Sequence, residues 1–188
     1  MKKLFLIMLF VAGIFFVYSG MTFALVYNPA NGHSYELIGG YGSWDGAKNY
    51  IDSNYPNWYL ATITDAAEQQ FIIDYVIGNN GGEFWLGGYQ DPSTTTDPAA
   101  NWKWVTGEAW GYTSWSAGEP NDFYGSASEQ YLAIYGAGIW AWNDEGNIPN
   151  INGLIAETAP VPEPATLLLL GSGLVALAGF RKKIRRRQ

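Results

Sequence analysis

The chain of 188 residues has no cysteine and one histidine, His33. Without cysteine no disulfide can staple the fold, so its stability must come from a packed core. A zinc site is excluded, because His33 has no cysteine or second histidine to share the metal. A Ser-His-Asp triad would have to use His33, and no Gly-X-Ser-X-Gly segment supports one. His33 is expected at the surface of the first strand. Basic residues are also scarce away from the two ends: residues 25–160 hold only Lys48 and Lys103 against sixteen Asp and Glu, a net charge of −14. Such a surface repels nucleic acid. It serves solubility, and it equally suits a cation. What the middle does have is aromatic area, with all nine Trp between residues 25 and 160, ample for a core.

The two ends differ from the middle. Met1-Lys2-Lys3, an apolar stretch from Leu4 to Tyr18 and Thr22-Phe23-Ala24 form the pattern of a secretory signal peptide over residues 1–24. The alternative, a membrane anchor, is disfavoured because the apolar core is shorter than the ~20 residues a spanning helix needs. At the other end Val161-Pro162-Glu163-Pro164 precedes an apolar run from Ala165 to Phe180 and a basic cluster from Arg181 to Arg187. An apolar run closed by basic residues halts in a membrane with its charges on the cytoplasmic side. The run is short for a transmembrane helix and suits a temporary hold. This three-part tail resembles the PEP-CTERM sorting tail. The resemblance implies cutting at the Pro-Glu-Pro by an exosortase-type membrane peptidase, transient membrane association, and an exported, extracellular or cell-surface destination. The expected organisation is a signal peptide (1–24), one folded domain (25–158) and a sorting tail (159–188).

Within the domain, residues 33–38 read as an opening strand after the turn Asn31-Gly32. Ser43 is placed to cap a helix that carries Trp44, Ala47 and Ile51 on one face and ends near Asn54-Tyr55-Pro56. Leu60 and Ile63 follow in an extended piece. Asp65 and Glu68 stand three apart, as in a capping box, and Phe71, Ile72, Tyr75 and Val76 recur at helical spacing. Gly78-Asn79-Asn80-Gly81-Gly82 stops that helix. Thereafter come short strands: Phe84 to Gly87, Trp102-Lys103-Trp104, Gln130 to Tyr135, Ile139 to Trp142 and Gly153 to Glu157. Between them residues 106–128 form a long loop, and its five aromatics argue that it is ordered. Two helices, then short antiparallel strands around a long loop, is an α+β pattern.

Oxygen-bearing side chains gather near that loop. Glu119-Pro120-Asn121 sets two of them one Pro apart, and Pro restricts the backbone between them. Glu129 stands just before a strand, and Trp142-Asn143-Asp144 ends another. Carboxylates and amide oxygens from separate segments are what calcium requires, about six to eight oxygens in all. Taken singly, the pieces are also a plain turn and a plain strand terminus. Their order is more specific. From Trp85-Leu86-Gly87-Gly88 through Trp102-Lys103-Trp104, Gly107, Tyr112, Trp115, Gly118-Glu119-Pro120-Asn121, Glu129, Trp142-Asn143-Asp144 and Leu154-Ile155-Ala156-Glu157, the chain resembles the C-type lectin domain over about residues 31–158. The resemblance implies that Glu119, Asn121, Glu129, Asn143 and Asp144 hold calcium and, through it, sugar. The Glu-Pro-Asn triplet implies mannose-type sugars, with exopolysaccharide as the other candidate partner. The family's paired cysteines are absent, and Tyr50, Tyr131, Asn147 and Ala156 stand at or near their places. The interval from Asn121 to Glu129 is longer than the family pattern.

The function expected is therefore calcium-dependent carbohydrate binding without catalysis, with no catalytic residues. Phe123 or Tyr124 would be the aromatics for sugar stacking, though loop packing is the commoner role for either. One rival is a glycosidase using Glu119 with Glu129 or Asp144, disfavoured because a calcium cluster keeps carboxylates ionised. The other is a lectin-like structural or protein-binding module that takes no sugar.

Overall fold

Ser43 opens the first helix as expected: its Oγ accepts from the Gly46 N–H at 3.1 Å, and helix α1, Trp44–Asn54, buries Trp44, Ala47 and Ile51. The computed structural model describes residues 25–40, 42–136 and 139–160, so the signal-peptide and sorting-tail segments lie outside the described residues. No helix among the described residues is long and apolar enough to cross a membrane. In the second helix Asp65 caps the N–H groups of Ala67 and Glu68, at 2.8 and 2.9 Å. Glu68 reaches one residue further back than a capping box requires, to the N–H of Thr64. The helix runs as α2, Ala66–Phe71, and then widens to a π-helix over Ile72–Ile77. The wider turn shifts the apolar face. Ile72, Val76 and Ile77 are buried, whereas Tyr75, expected on that face, is 66% exposed.

Among the described residues eight strands form one sheet: β1 (Val26–Tyr27), β2 (Ser34–Gly39), β3 (Trp58–Leu60), β4 (Glu83–Tyr89), β5 (Lys103–Trp104), β6 (Tyr131–Tyr135), β7 (Ala141–Glu145) and β8 (Gly153–Thr158). The main order is β1-β2-β8-β4-β6-β7, with β3 paired to β8 and β5 to β4. All pairings are antiparallel except β4 with β8, so the sheet is mixed. One face buries Leu86, Leu132, Ile134, Trp142 and Ile155 against Ile72 and the tryptophans of the long loop. The other buries Trp85, Ala133, Leu154 and Ala156 against α1. Gly87 in β4 permits the crowding: a Cβ there would come within 2.4 Å of the Leu60 carbonyl.

The positions of the missing cysteines are filled by other contacts. Tyr131 stacks on Trp44 at 4.7 Å, and Tyr50 lies 5.8 Å from the Tyr55 ring. Asn147 donates to Asp45 at 2.7 Å and accepts from the Asp45 N–H at 3.2 Å. Ala156 is fully buried between β2 and β3. Two expectations are corrected. His33 precedes β2 and is not a free surface residue; it is half-buried and bonded to Glu157. The strand expected to stop at Trp142 runs on through Glu145, so Asn143 and Asp144 lie inside it.

Candidate functional site

β7 is the last strand of the main sheet, and the long loop runs along its free edge. Ser116 N–H donates to the Trp142 carbonyl at 2.8 Å, and Trp142 N–H to the Ser114 carbonyl at 2.7 Å. Trp142 itself is fully buried, its indole N–H bonded to Gln69 Oε1 at 2.9 Å. Strand alternation then turns Asp144 to the Trp142 face and Asn143 to the opposite one. Glu119 lies off the edge, where both faces are within reach.

The Glu119–Pro120 peptide bond is cis. Asp144 is 1% exposed, and its carboxylate accepts from the N–H of Asn121 at 2.9 Å and of Asp122 at 2.9 Å. These bonds draw Glu119, Asn121 and Asp144 together. Burial pushes the Glu119 carboxyl up to about 7; a hydrogen bond to Asp144 and repulsion from Asp144 and Glu129 add to it, and the Asn121 amide opposes it. Glu119 Oε2 is buried with no hydrogen-bond partner. Glu129 is buried and accepts from the Phe123 N–H at 2.6 Å. Burial raises its pKa, with Asp144 and Asp122 adding to the effect. Asn143 donates through Nδ2 to Glu145 Oε1 at 2.9 Å and to Glu83 Oε1 at 3.4 Å. It shares with Glu119 a pocket of about 270 Å³, lined also by Glu83, Ser116, Tyr135 and Glu145. The structure thus sets Glu119 and Asn121 beside Asp144, with Glu129 near enough to repel Glu119, while Asn143 meets Glu119 in the pocket on the other face of β7.

Three residues of this region carried no signal in the sequence reading. Asp122 is buried and organises the long interval to Glu129, accepting from the N–H groups of Ala127, Ser128 and Glu129 at 2.9–3.1 Å. An Asp three residues before Gly125 is a turn signature that would have pointed to it. The loop so held displays Phe123 and Tyr124, 75% and 76% exposed, their rings 5.2 Å apart. Glu83 and Glu145 are the others. Burial raises both, Glu145 to about 7 with Glu83 as its strongest repulsive neighbour.

A second cluster lies at His33, Glu68 and Glu157, whose ligand atoms all fall within 4.8 Å of one another. Glu68 has no lone pair left for a metal there. One of its oxygens accepts from Tyr35 Oη at 2.5 Å and Asn31 Nδ2 at 3.0 Å, the other from Thr64 N–H at 2.7 Å and Thr64 Oγ1 at 3.1 Å. The cluster ties α2 to β2 and β8.

Residues 160–186 match the PEP-CTERM protein-sorting motif. The chain is 30% identical over 118 residues to the C-type lectin lectoxin-Lio3 of Erythrolamprus poecilogyrus, a match covering 62% of this chain and 70% of that one. It is 28% identical over 120 residues to the C-type lectin mannose-binding isoform of Oxyuranus scutellatus, covering 62% and 71%. Among solved structures, the C-type lectin CEL-I from Cucumaria echinata superposes with a TM-score of 0.58 at 23% identity, over 69% of this chain and 92% of that one.

Proposed function

The chain belongs to the C-type lectin family, and from that premise we propose that it is an exported, calcium-dependent, carbohydrate-binding protein of the mannose type. Glu119, Asn121, Glu129, Asn143 and Asp144 would hold the ion. The observation that carries this reading is Glu119 Oε2, a buried carboxylate oxygen without a hydrogen-bond partner, on a side chain that faces the Asp144 carboxylate. Such an arrangement is relieved by a cation, and an all-oxygen donor set suits calcium. Asp144 Oδ1 and Glu129 Oε2 each accept one backbone N–H and keep lone-pair capacity beyond it, whereas Asp144 Oδ2 accepts from both Asn121 and Asp122.

When bound, calcium would supply coordination positions for two vicinal sugar hydroxyls. Glu119, an acceptor only, takes a hydroxyl proton. Asn121, which is exposed, would donate an amide N–H. Phe123 and Tyr124 offer ring faces to the apolar side of a sugar. No group here is asked to break a bond. The PEP-CTERM tail supports handling by an exosortase-type peptidase, with passing attachment to the membrane before release or transfer to the cell surface.

A second reading is a lectin-like structural or protein-binding module that takes no sugar. It is favoured by the Asn143 amide, whose N–H groups are already spent on Glu145 and Glu83. Retention on a mannose matrix separates the two. Elution by chelator supports the first reading; passage through the column with and without calcium overturns it.

A further inference from the structure

Asn143 lies on the face of β7 away from Asp144, two residues before Glu145, so strand alternation sets Asn143 and Glu145 side by side. Glu83 approaches from the sheet: it pairs with Tyr135 of β6, which pairs in turn with Ala141 of β7. The Asn143 amide therefore meets two carboxylates at one end. An amide has a donor end and an acceptor end. Turned around, its carbonyl oxygen would face two acceptors and lose both hydrogen bonds, so the carboxylates dictate which end faces them. We propose that Glu145, assisted by Glu83, is a positioning residue that fixes the Asn143 amide, turning Oδ1 away from the carboxylates toward the cation site and withholding its N–H groups from sugar.

The inference rests on the reading of Asn143 as a cation ligand, and it has two consequences. The ligand oxygen is preset before the ion arrives, so no rotamer must be ordered on binding. Sugar recognition falls to Glu119 and Asn121, because the Asn143 donors are engaged. Glu145 needs to touch neither ion nor sugar to have these effects; partners of ligating side chains commonly govern metal affinity in this way.

The experiment compares the folded domain with Glu145→Ala, which removes the acceptor, and Glu145→Gln, which removes the charge but keeps an acceptor oxygen. The first readout is the Asn143 side-chain NH₂ in nitrogen-15 NMR spectra of calcium-free protein. A dispersed, slowly exchanging NH₂ pair is expected in the parent and in Glu145→Gln. In Glu145→Ala it should collapse to the position of a solvated amide. The second readout is calcium affinity by calorimetry. It should fall by about 10–100-fold in Glu145→Ala and be largely rescued in Glu145→Gln. Should Glu145→Ala fail to fold, Glu145→Thr, strand-compatible but too short to reach the amide, carries the same comparison. An Asn143 amide unmoved by loss of Glu145 overturns the proposal, as does equal weakening of calcium by both variants. A parent domain that binds no calcium, yet whose amide responds as stated, retains the positioning role and refutes the calcium reading.

Discussion

Trp142→Ala tests whether the strand that carries Asn143 and Asp144 is held by the core behind it. Trp142 is fully buried, and the rings of Trp104, Trp110, Tyr112 and Trp115 surround it at 5.6–5.7 Å. Removing a buried Trp side chain costs about 3–5 kcal/mol. The substitution also strands Gln69 Oε1, the acceptor of the indole N–H, at about 1–3 kcal/mol for a buried group left unpaired. Together these approach the whole stability of a typical domain, about 5–15 kcal/mol. For a domain of this size the melting temperature should fall by on the order of 15 °C or more. Near-ultraviolet circular dichroism, dominated here by the tryptophans, follows the transition. Asp144→Asn is the control two residues along the strand: a carbonyl oxygen at the Oδ2 place can still accept from the Asn121 and Asp122 N–H groups, and repulsion with Glu119 is relieved, so the calcium-free fold should persist. A Trp142→Ala domain melting with the parent would refute the reasoning, and so would Asp144→Asn melting as early as Trp142→Ala.

Calcium at one hundred times its dissociation constant should add about 2.7 kcal/mol of stability; differential scanning fluorimetry with calcium and with chelator measures it, Asp144→Asn should lose the gain, and a parent curve that chelator leaves unmoved removes the metal from the account. The His33–Glu157 pair should make the calcium-free domain less stable as pH rises. His33 is raised chiefly by its bond to Glu157, and Glu157 is pushed up to about 7 chiefly by burial; Glu68, Tyr35 and Glu108 also face this pair. Both groups hold protons more tightly folded than unfolded, so their contribution is complete at acidic pH and lost as pH climbs through about 7. Chemical denaturation between pH 6 and 8.5 should show this slope, to which Glu119 and Glu145 also contribute, and the double variant His33→Gln with Glu157→Gln should make it shallower; an equal slope in that variant would exclude the pair as a source. Protein recovered from outside the cell should lack residues 1–24 and the tail beyond about Pro162, a full-length mass in mass spectrometry being the contrary result.

Much of the fold was legible because local chemistry and burial agree. Ser43 and Asp65 are strong caps, and both cap in the structure. Trp102-Lys103-Trp104 alternates as a half-buried strand, and it buries Trp102 and Trp104 while exposing Lys103. What failed to show was anything set by contacts distant in sequence. Tyr75 fits a helical apolar face at 3.6 residues per turn and is expelled because the backbone there winds as a π-helix. His33 looked like a surface residue because Glu157, its partner, lies 124 positions away. The extension of β7 past Trp142 was hidden by its polar sequence, Asn143-Asp144-Glu145, which resembles a strand end. Those polar residues sit in a strand because β6 pairs with them, Ala133 with Asn143, Leu132 with Asp144 and Tyr131 with Glu145.

For the candidate site, the residue types and their order in the chain named the neighbourhood but not the allocation of hydrogen bonds. Counting carboxylates foretold an excess of oxygen; it could not foretell that Asp144 and Glu129 accept backbone N–H groups while Glu119 Oε2 accepts none. Nor could it bring in Glu83, thirty-six positions before Glu119 and joined to Asn143 only through two strand pairings. The energetic sense of the arrangement follows from charge. Glu83, Glu119, Glu129 and Glu145 are all raised, each chiefly by burial, with neighbouring carboxylates adding repulsion. The two lysines of the domain stand elsewhere, Lys48 bonded to Asp52 at 2.6 Å and Lys103 near Asp91. An acidic group so placed works against folding unless something positive offsets it. Sequences depart from such rules of stability mainly where function requires it. On that argument the cost is concentrated at the edge of β7 because the ligand brings the missing charge, and the domain should be most stable when that edge is filled.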